Sequence, residues 1–281
     1  MRLATTFHEL NKALDELNRS IGFVPTMGYL HEGHLSLVRA AKEQNESVVV
    51  SIFTNPTQFT QGEDLENYPK DIDRDLELLG DEGIDLVWIP SSGDMYPHGY
   101  QTWVNVTELT GHLEGRYRPT HFQGVTTVIA KLFNAIQPEK AYFGQKDAQQ
   151  AAVIKQMVRD LNYPVEIVVC PTIREEDGLA MSSRNSFLTN PERKAALCLS
   201  RGLKSAQKAY MSGERKSDNL LEIIRSEIDR EELARVQYIS CAHPETLEEI
   251  KGDVVSCLLS LSVFVGTTRL IDNIQLSVES C

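Results

Sequence analysis

Two hydrophobic textures divide the chain. Up to Asn190, short apolar runs alternate with longer stretches in which apolar side chains recur every three or four residues. Strands buried on both faces and joined by amphipathic helices give that pattern. Phe7, Leu10, Leu14 and Leu17 stand at helical spacing among charges, so Met1 to Asn18 is expected to open with a helix. Ile21 to Pro25 predicts a strand, His34 to Gln44 (Leu35, Val38, Ala41) a helix, and Ser47 to Phe53 a second, β-branched strand. Strand, helix, strand implies a right-handed parallel unit. The alternation continues with a helix over Ile72 to Glu82, a strand over Leu86 to Ile89 and a helix over Val125 to Ile136. A strand over Lys140 to Phe143, a helix over Ala148 to Leu161 and a strand over Val165 to Cys170 complete it.

Beyond Pro191 the texture changes. Charge-rich helical stretches (Pro191 to Met211, Asp218 to Ile228) precede strand-like Val236 to Ser240, Val254 to Val265 and Arg269 to Gln275. Helices followed by strands suggest a smaller α+β domain covering the first. The expected fold is α/β: a doubly wound parallel sheet in residues 1–173, then a smaller α+β C-terminal domain in 174–281 that acts as a lid. The sequence shows no repeats or low-complexity segments.

Composition narrows the partners. A chain of 281 residues with 41% hydrophobic content is long enough for a substantial core. Its formal net charge of −12, without a basic run, argues against nucleic acid and anionic membranes as partners. An anionic ligand then needs local positive charge, so isolated Lys, Arg and His near glycine loops become informative. No apolar run approaches the roughly 20 residues of a membrane span, and the opening stretch lacks the apolar core of a signal peptide. The five cysteines (Cys170, Cys198, Cys241, Cys257, Cys281) are scattered and form no C-x-x-C. That suits reduced thiols in a cytoplasm.

Candidate chemistry centres on Val24 to Leu37, V-P-T-M-G-Y-L-H-E-G-H-L-S-L. A strand runs into a glycine-bearing loop and then a helix start, whose unpaired amides and positive dipole end suit phosphate. Gly28 and Gly33 allow a ligand to approach backbone closely. His31 and His34, three apart, fall on one side of a helical turn. Two imidazoles with backbone donors suggest charge stabilisation on phosphorus. A His-x-x-His pair also offers two zinc ligands, but no nearby Cys or third His completes a set.

Other segments fall beyond predicted strand ends, where open α/β sheets bind ligands. Asn55 and Gln58 follow the second strand; the plain alternative is turn chemistry at Asn-Pro. Gly144-Gln145-Lys146-Asp147 forms a second strand-to-helix junction, with a lysine for phosphate and an Asp to cap a helix, touch a ribose or meet Mg²⁺. Gly111 to Gly124 gathers two Arg and two His in a loop; His121, just before the predicted helix, is placed to neutralise phosphate. Met181-Ser182-Ser183-Arg184 offers two hydroxyls and a guanidinium as a mobile phosphate clamp. No Ser-His-Asp or Cys-His set points to a covalent enzyme intermediate.

Pro25 to His34, P-T-M-G-x-L-H-x-G-H, resembles the signature of the pantothenate synthetase family, within the wider HxGH nucleotidyltransferases related to class I aminoacyl-tRNA synthetases. Similar family segments are N-P-x-Q-F from Asn55, D-L-x-x-Y-P from Asp64, F-G-x-K-D-x-Q-Q from Phe143 and D-G-L-A-M-S-S-R-N from Asp177. Thr54 stands where Val is common, Lys70 where Arg is common and Gln145 where Glu is also usual. Lys70 keeps a charge but not the bidentate fork of Arg.

The resemblance implies a Rossmann-like fold and ATP-dependent condensation of (R)-pantoate with β-alanine through a pantoyl adenylate, with Mg²⁺, in a cytoplasmic homodimer. It assigns Met27, Gly28, Tyr29, Leu30, His31, Glu32, Gly33, His34, Gly144, Gln145, Lys146, Asp147, Ile173, Met181, Ser182, Ser183 and Arg184 to ATP. Pro25, Met27, Asn55, Gln58, His121 and Gln150 fall to pantoate and β-alanine. His31, His34, Lys146 and Arg184 are the expected catalytic groups, with His34 a proton donor. The Mg²⁺ ligands are left unassigned, the ion riding mainly on ATP phosphates. A plain nucleotidyltransferase and a non-catalytic nucleotide-binding module remain as alternatives; uncharged Asn55, Gln58 and Gln150 favour a small hydroxy acid over a phosphorylated acceptor.

Overall fold

Six short strands, apolar nearly throughout, pair in parallel to form the sheet on which the first part of the chain is built. In the computed structural model, which describes residues 1–18, 20–59 and 65–277, they are β1 (Arg2–Ala4), β2 (Ile21–Thr26), β3 (Ser47–Ile52), β4 (Leu86–Trp88), β5 (Lys140–Gly144) and β6 (Glu166–Cys170). Their order is β1-β4-β3-β2-β5-β6. Asp64 of the D-L-x-x-Y-P segment and Cys281 lie outside the described residues.

Alternation along each strand sends side chains to two apolar layers. Phe23, Val49, Leu86, Trp88, Ala141 and Phe143 meet the helices Phe7–Leu14, His121–Ile136 and Ala148–Asp160. Val24, Val48, Val50, Val87 and Tyr142 meet the helices Glu32–Gln44 and Ile72–Asp81. Both faces are covered, which explains strands without a polar side. The chain moves outward from β2 through β3 to β4, then returns to place β5 on the other flank of β2. β2 therefore sits where the winding reverses, and a ligand crevice is expected beyond its carboxyl end.

The opening helix is shorter than its periodicity predicts. Arg2–Ala4 is an edge strand parallel to β4, and the helix starts at Phe7 under a Thr6–Glu9 capping box. Three residues are too few for a strand period to show, and the cap decides the boundary. The helix expected from Val125 begins four residues earlier, at His121, after a short helix over Leu113–Tyr117.

Two compact units divide the chain: Met1–Gln145 with Gln149–Pro171, and Lys146–Ala148 with Thr172–Cys281. In the second, β7 (Ala234–Ala242), β8 (Ser256–Val265) and β9 (Thr268–Ser277) form an antiparallel sheet. Leu199, Leu203, Leu220 and Ile224 of its two long helices pack on Cys241, Leu259, Leu261 and Val263. Cys170, Cys198, Cys241 and Cys257 are buried free thiols. Among the described residues no helix is long and apolar enough to cross a membrane.

Phe23 is fully buried in the middle of β2, its ring 6.3 Å from Phe133 in an edge contact. Phe23→Ala is expected to cost about 3–5 kcal/mol, read as a lower denaturant midpoint at unchanged slope; a loss below about 1 kcal/mol would contradict this packing.

Candidate active site

The loop beyond β2 is built from backbone that few residues adopt. Gly28 has φ +84° and Tyr29 follows at φ +53°, turning the chain sharply before the helix that starts at Glu32. Gly28 is the position where this conformation is free of strain; Tyr29 must be held in place. The holder is Asp75, on the first turn of the Ile72–Asp81 helix. Its side chain is 0% exposed, and its two carboxylate oxygens accept hydrogen bonds from the Tyr29 and Leu30 amides at 2.7 Å each. Burial pushes the Asp75 carboxyl up from its ordinary value, opposed by those two amide bonds and by the Arg74 charge. Arg74 donates to the Leu30 carbonyl at 2.9 Å and lies 5.5 Å from the Tyr29 ring centre.

The loop is also tied to β3. Thr26 Oγ1 donates to the Ser51 carbonyl, Thr54 Oγ1 to the Met27 carbonyl, and the Phe53 amide to the Thr26 carbonyl. His31 is the N-cap residue of the Glu32–Gln44 helix, and its ring centre is 4.0 Å from that of His34. The His31 amide donates to His34 Nδ1 at 3.3 Å. An acceptor Nδ1 carries no proton, so in this arrangement the His34 proton sits on Nε2, as a donor.

The turn after β3 supplies uncharged polar groups. Asn55 is 1% exposed and its amide is used inside the protein. Nδ2 donates to Gln58 Oε1 and to the Gly124 carbonyl, while Oδ1 accepts from Thr57 and from the Tyr96 hydroxyl. Asn55 therefore acts on Gln58: it holds Oε1 and points Nε2 toward Met27 Sδ at 2.9 Å. His121, 8% exposed, lies in the first helical turn instead of before it. Its Nδ1 is 2.8 Å from the Gln58 carbonyl and its Nε2 is 3.3 Å from an Arg118 nitrogen. A carbonyl only accepts and a guanidinium only donates, which fixes a neutral Nδ1–H tautomer. In that state His121 holds the Gln58 backbone and brings no positive charge to a phosphate, the role its sequence position suggested. Arg118 also lies 3.8 Å from Glu114, while Arg116 bonds the Gly111 carbonyl.

At the second junction, β5 leads into one 3₁₀ turn, Gln145–Asp147, and then a helix. Lys146 Nζ is 3.8 Å from the exposed Asp147 carboxylate. The paired glutamines divide their work. Gln149 is buried and binds the Glu114 amide and the Leu109 and His112 carbonyls, whereas Gln150 is half-buried without a side-chain partner among the described residues.

In the second unit, Ile173 and Met181 are joined across a tight turn, the Met181 amide donating to the Ile173 carbonyl at 3.0 Å. Ser182 caps the short 3₁₀ helix Ser183–Phe187 through its hydroxyl, which accepts from the Arg184 amide. Asn185 secures this loop on Glu175 and the Ala180 carbonyl.

The first unit thus brings Pro25 to His34 together with Asn55, Gln58 and His121; the second holds Lys146 beside Asp147 and groups Ile173 with Met181 to Arg184. Asp75, Arg74, Tyr96 and Gln149 had drawn no attention in the sequence. One signal was available: Asp75 stands one turn before buried Leu79, an acid on the apolar face of its helix.

The family profile for pantoate-beta-alanine ligase matches residues 2–275. The chain belongs to the pantoate–β-alanine ligase family. A pantothenate synthetase of Thermoanaerobacter sp. (strain X514) is 56% identical over 91% of this chain and 90% of its own length. That of Roseiflexus sp. (strain RS-1) is 53% identical over 97% and 98%. The crystal structure of the pantothenate synthetase of Thermus thermophilus superposes with a TM-score of 0.93 at 45% identity, covering 98% of this chain and 99% of that one. The Francisella tularensis ligase, crystallised with an ATP species and β-alanine, gives 0.82 at 35% identity over 98% and 97%. As a member of the pantoate–β-alanine ligase family, this chain is an amide-forming ligase.

Two substitutions test the scaffold of the site. Asp75→Ala orphans two loop amides at about 1–3 kcal/mol each, so ligase activity should fall at least about tenfold together with a lower Tm; wild-type values of both would show that the loop stands without the carboxylate. At Gly124 an added Cβ would lie 2.5 Å from the Thr57 carbonyl and 2.6 Å from the Gln58 amide. Gly124→Ala is expected to raise KM for pantoate by displacing Gln58, and an unchanged KM would mean that the turn yields without consequence.

Proposed function

We propose that this ligase activates (R)-pantoate with ATP and then transfers it to β-alanine. In the first step a pantoate carboxylate oxygen attacks the α-phosphorus, the bond to the β,γ-unit breaks, and pyrophosphate leaves a pantoyl adenylate. In the second, the β-alanine amine attacks the acyl carbon, the bond to the AMP oxygen breaks, and the amine gives up a proton. The observation that carries this reading is His34: its Nδ1 accepts the His31 amide, which leaves the ring proton on Nε2, on a helix N-terminus beyond the strand where the winding reverses. A donor there stabilises charge developing on phosphate oxygens.

The remaining roles follow from residue chemistry and family membership. Met27 to His34, with Gly144, Gln145, Lys146, Asp147, Ile173 and Met181 to Arg184, are proposed to bind ATP. Lys146 and Arg184 offset charge on the leaving pyrophosphate. Gln58 Nε2, held in orientation by Asn55, and Gln150, with its amide uncommitted, are proposed to bind the hydroxy acid and its acceptor beside Pro25 and Met27; His121 and Asn55 serve them from behind. The β-alanine amine, with an ordinary pKa of about 10, must be deprotonated to attack.

Among the described residues no three of His, Cys, Asp and Glu converge as a metal site. Mg²⁺ favours phosphate oxygens and water with one or two carboxylates, and Asp147 beside Lys146 would offer such an oxygen. Bound there, Mg²⁺ supplies neutralisation of triphosphate charge. A homodimer in the cytoplasm completes the proposal.

The test measures AMP and pyrophosphate from Mg·ATP with pantoate alone and then with β-alanine. Stoichiometric AMP only when both acids are present supports the two-step ligation; pyrophosphate without AMP under any condition overturns it in favour of plain nucleotidyl transfer. His34→Ala and Lys146→Ala are each expected to lower kcat by roughly 10²- to 10³-fold while remaining folded. Near-normal turnover in either removes that residue from the mechanism.

A further inference from the structure

The lysine assigned to phosphate does not stand on its own strand-to-helix junction alone. Its peptide carbonyl accepts a hydrogen bond from Asn273 Nδ2 at 2.8 Å, reached across 127 residues of sequence from β9. Asn273 is only 5% exposed, and its backbone amide donates to Asp272 Oδ1 at 2.8 Å. Asp272, 2% exposed, is gripped by both terminal nitrogens of Arg174 at 2.7 and 3.0 Å. The same guanidinium donates to the Gly178 carbonyl, inside the turn that runs from Ile173 to Met181.

We propose that Asn273 is a positioning residue for Lys146, and that Arg174 and Asp272 extend its hold to the loop bearing Ser182, Ser183 and Arg184. The proposal rests on the assignment of Lys146 to the phosphates. Its physical basis is geometric. Anchoring the Lys146 carbonyl restrains the backbone from which its Cα–Cβ bond projects, and a charged group displaced by about 1 Å at a reacting centre costs on the order of 10²-fold in rate. An Asn amide donates one fixed bond without adding charge beside the ammonium. The bidentate Arg174–Asp272 pair is the stiff support, since a planar fork on a carboxylate restricts both partners. Lys146–Ala148 groups with Thr172–Cys281 as one compact unit, so this lysine shares a unit with the serine-serine-arginine loop.

The experiment is a double-mutant cycle on the full-length enzyme, read as the single-turnover rate of pyrophosphate release from Mg·ATP and pantoate without β-alanine. Asn273→Asp keeps size and shape but exchanges the N–H donor for a carboxylate oxygen, and Asn273→Ala removes the group without adding charge. Each is expected to lower that rate by about tenfold or more, with KM for pantoate unchanged and a thermal transition still present. In the Lys146→Ala background, where the backbone carbonyl remains, Asn273→Asp should produce no further loss. Arg174→Lys, which breaks the fork, should give a smaller decrease of the same kind. Wild-type rates in Asn273→Asp, or losses that multiply in the double variant, would overturn the positioning role while leaving Lys146 in place. A Lys146→Ala enzyme at the wild-type rate would overturn the assignment of Lys146 itself, and the positioning role with it.

Discussion

The histidine loop depends on a carboxylate buried far from it in sequence. Asp75 takes two backbone N–H groups from a turn that contains a positive-φ tyrosine, and without such an acceptor those amides would be buried or would need water. Holding Tyr29 and Leu30 sets where His31 can begin its helix, and hence where the helix N-terminus and the His34 imidazole point. A negative group this close to a loop proposed to bind phosphate is tolerable because its two oxygens are bonded by two amides and Arg74 lies beside it. Desolvation works against it, so the arrangement spends stability on a fixed loop shape, as functional sites commonly do.

The neighbouring turn follows a related logic without charge. Asn55 engages five hydrogen-bonding groups, and their joint effect is to orient one amide, that of Gln58. His121 adds a bond to the Gln58 backbone, and Gly124 allows the helix to lie against the turn, where any side chain would collide. A polar network satisfied this fully is rigid. In the proposed mechanism, rigid and neutral donors suit a substrate whose own carboxylate must stay nucleophilic.

A chain with formal net charge −12 that handles a triphosphate has to concentrate its positive potential. In the proposed site that potential comes from the backbone dipole of a helix N-terminus, from Lys146 at the second strand-to-helix junction and from Arg184 on the serine-serine-arginine loop. Lys146 and Arg184, distant in sequence, belong to one compact unit, while the histidines belong to the other.

Much of this was legible in the amino-acid order. The parallel sheet followed from short β-branched runs at regular intervals, because strands buried on both faces admit few polar residues. The HxGH loop, the G-x-K-D junction and the S-S-R loop stood out as candidates because glycines beside particular charged or polar side chains lie close together in sequence there. Tertiary structure alone decided which polar residues hold and which are held. Nothing local separates Gln149 from Gln150, or shows that Asn55 and His121 turn inward; that depends on which carbonyls the fold brings to them. Asn273 was invisible for the same reason, and of Asp75 only its place on the apolar face of its helix showed, not what it holds. A hydrogen bond spanning 46 or 127 residues leaves no periodicity or motif in the sequence, since its geometry exists only once the chain has closed.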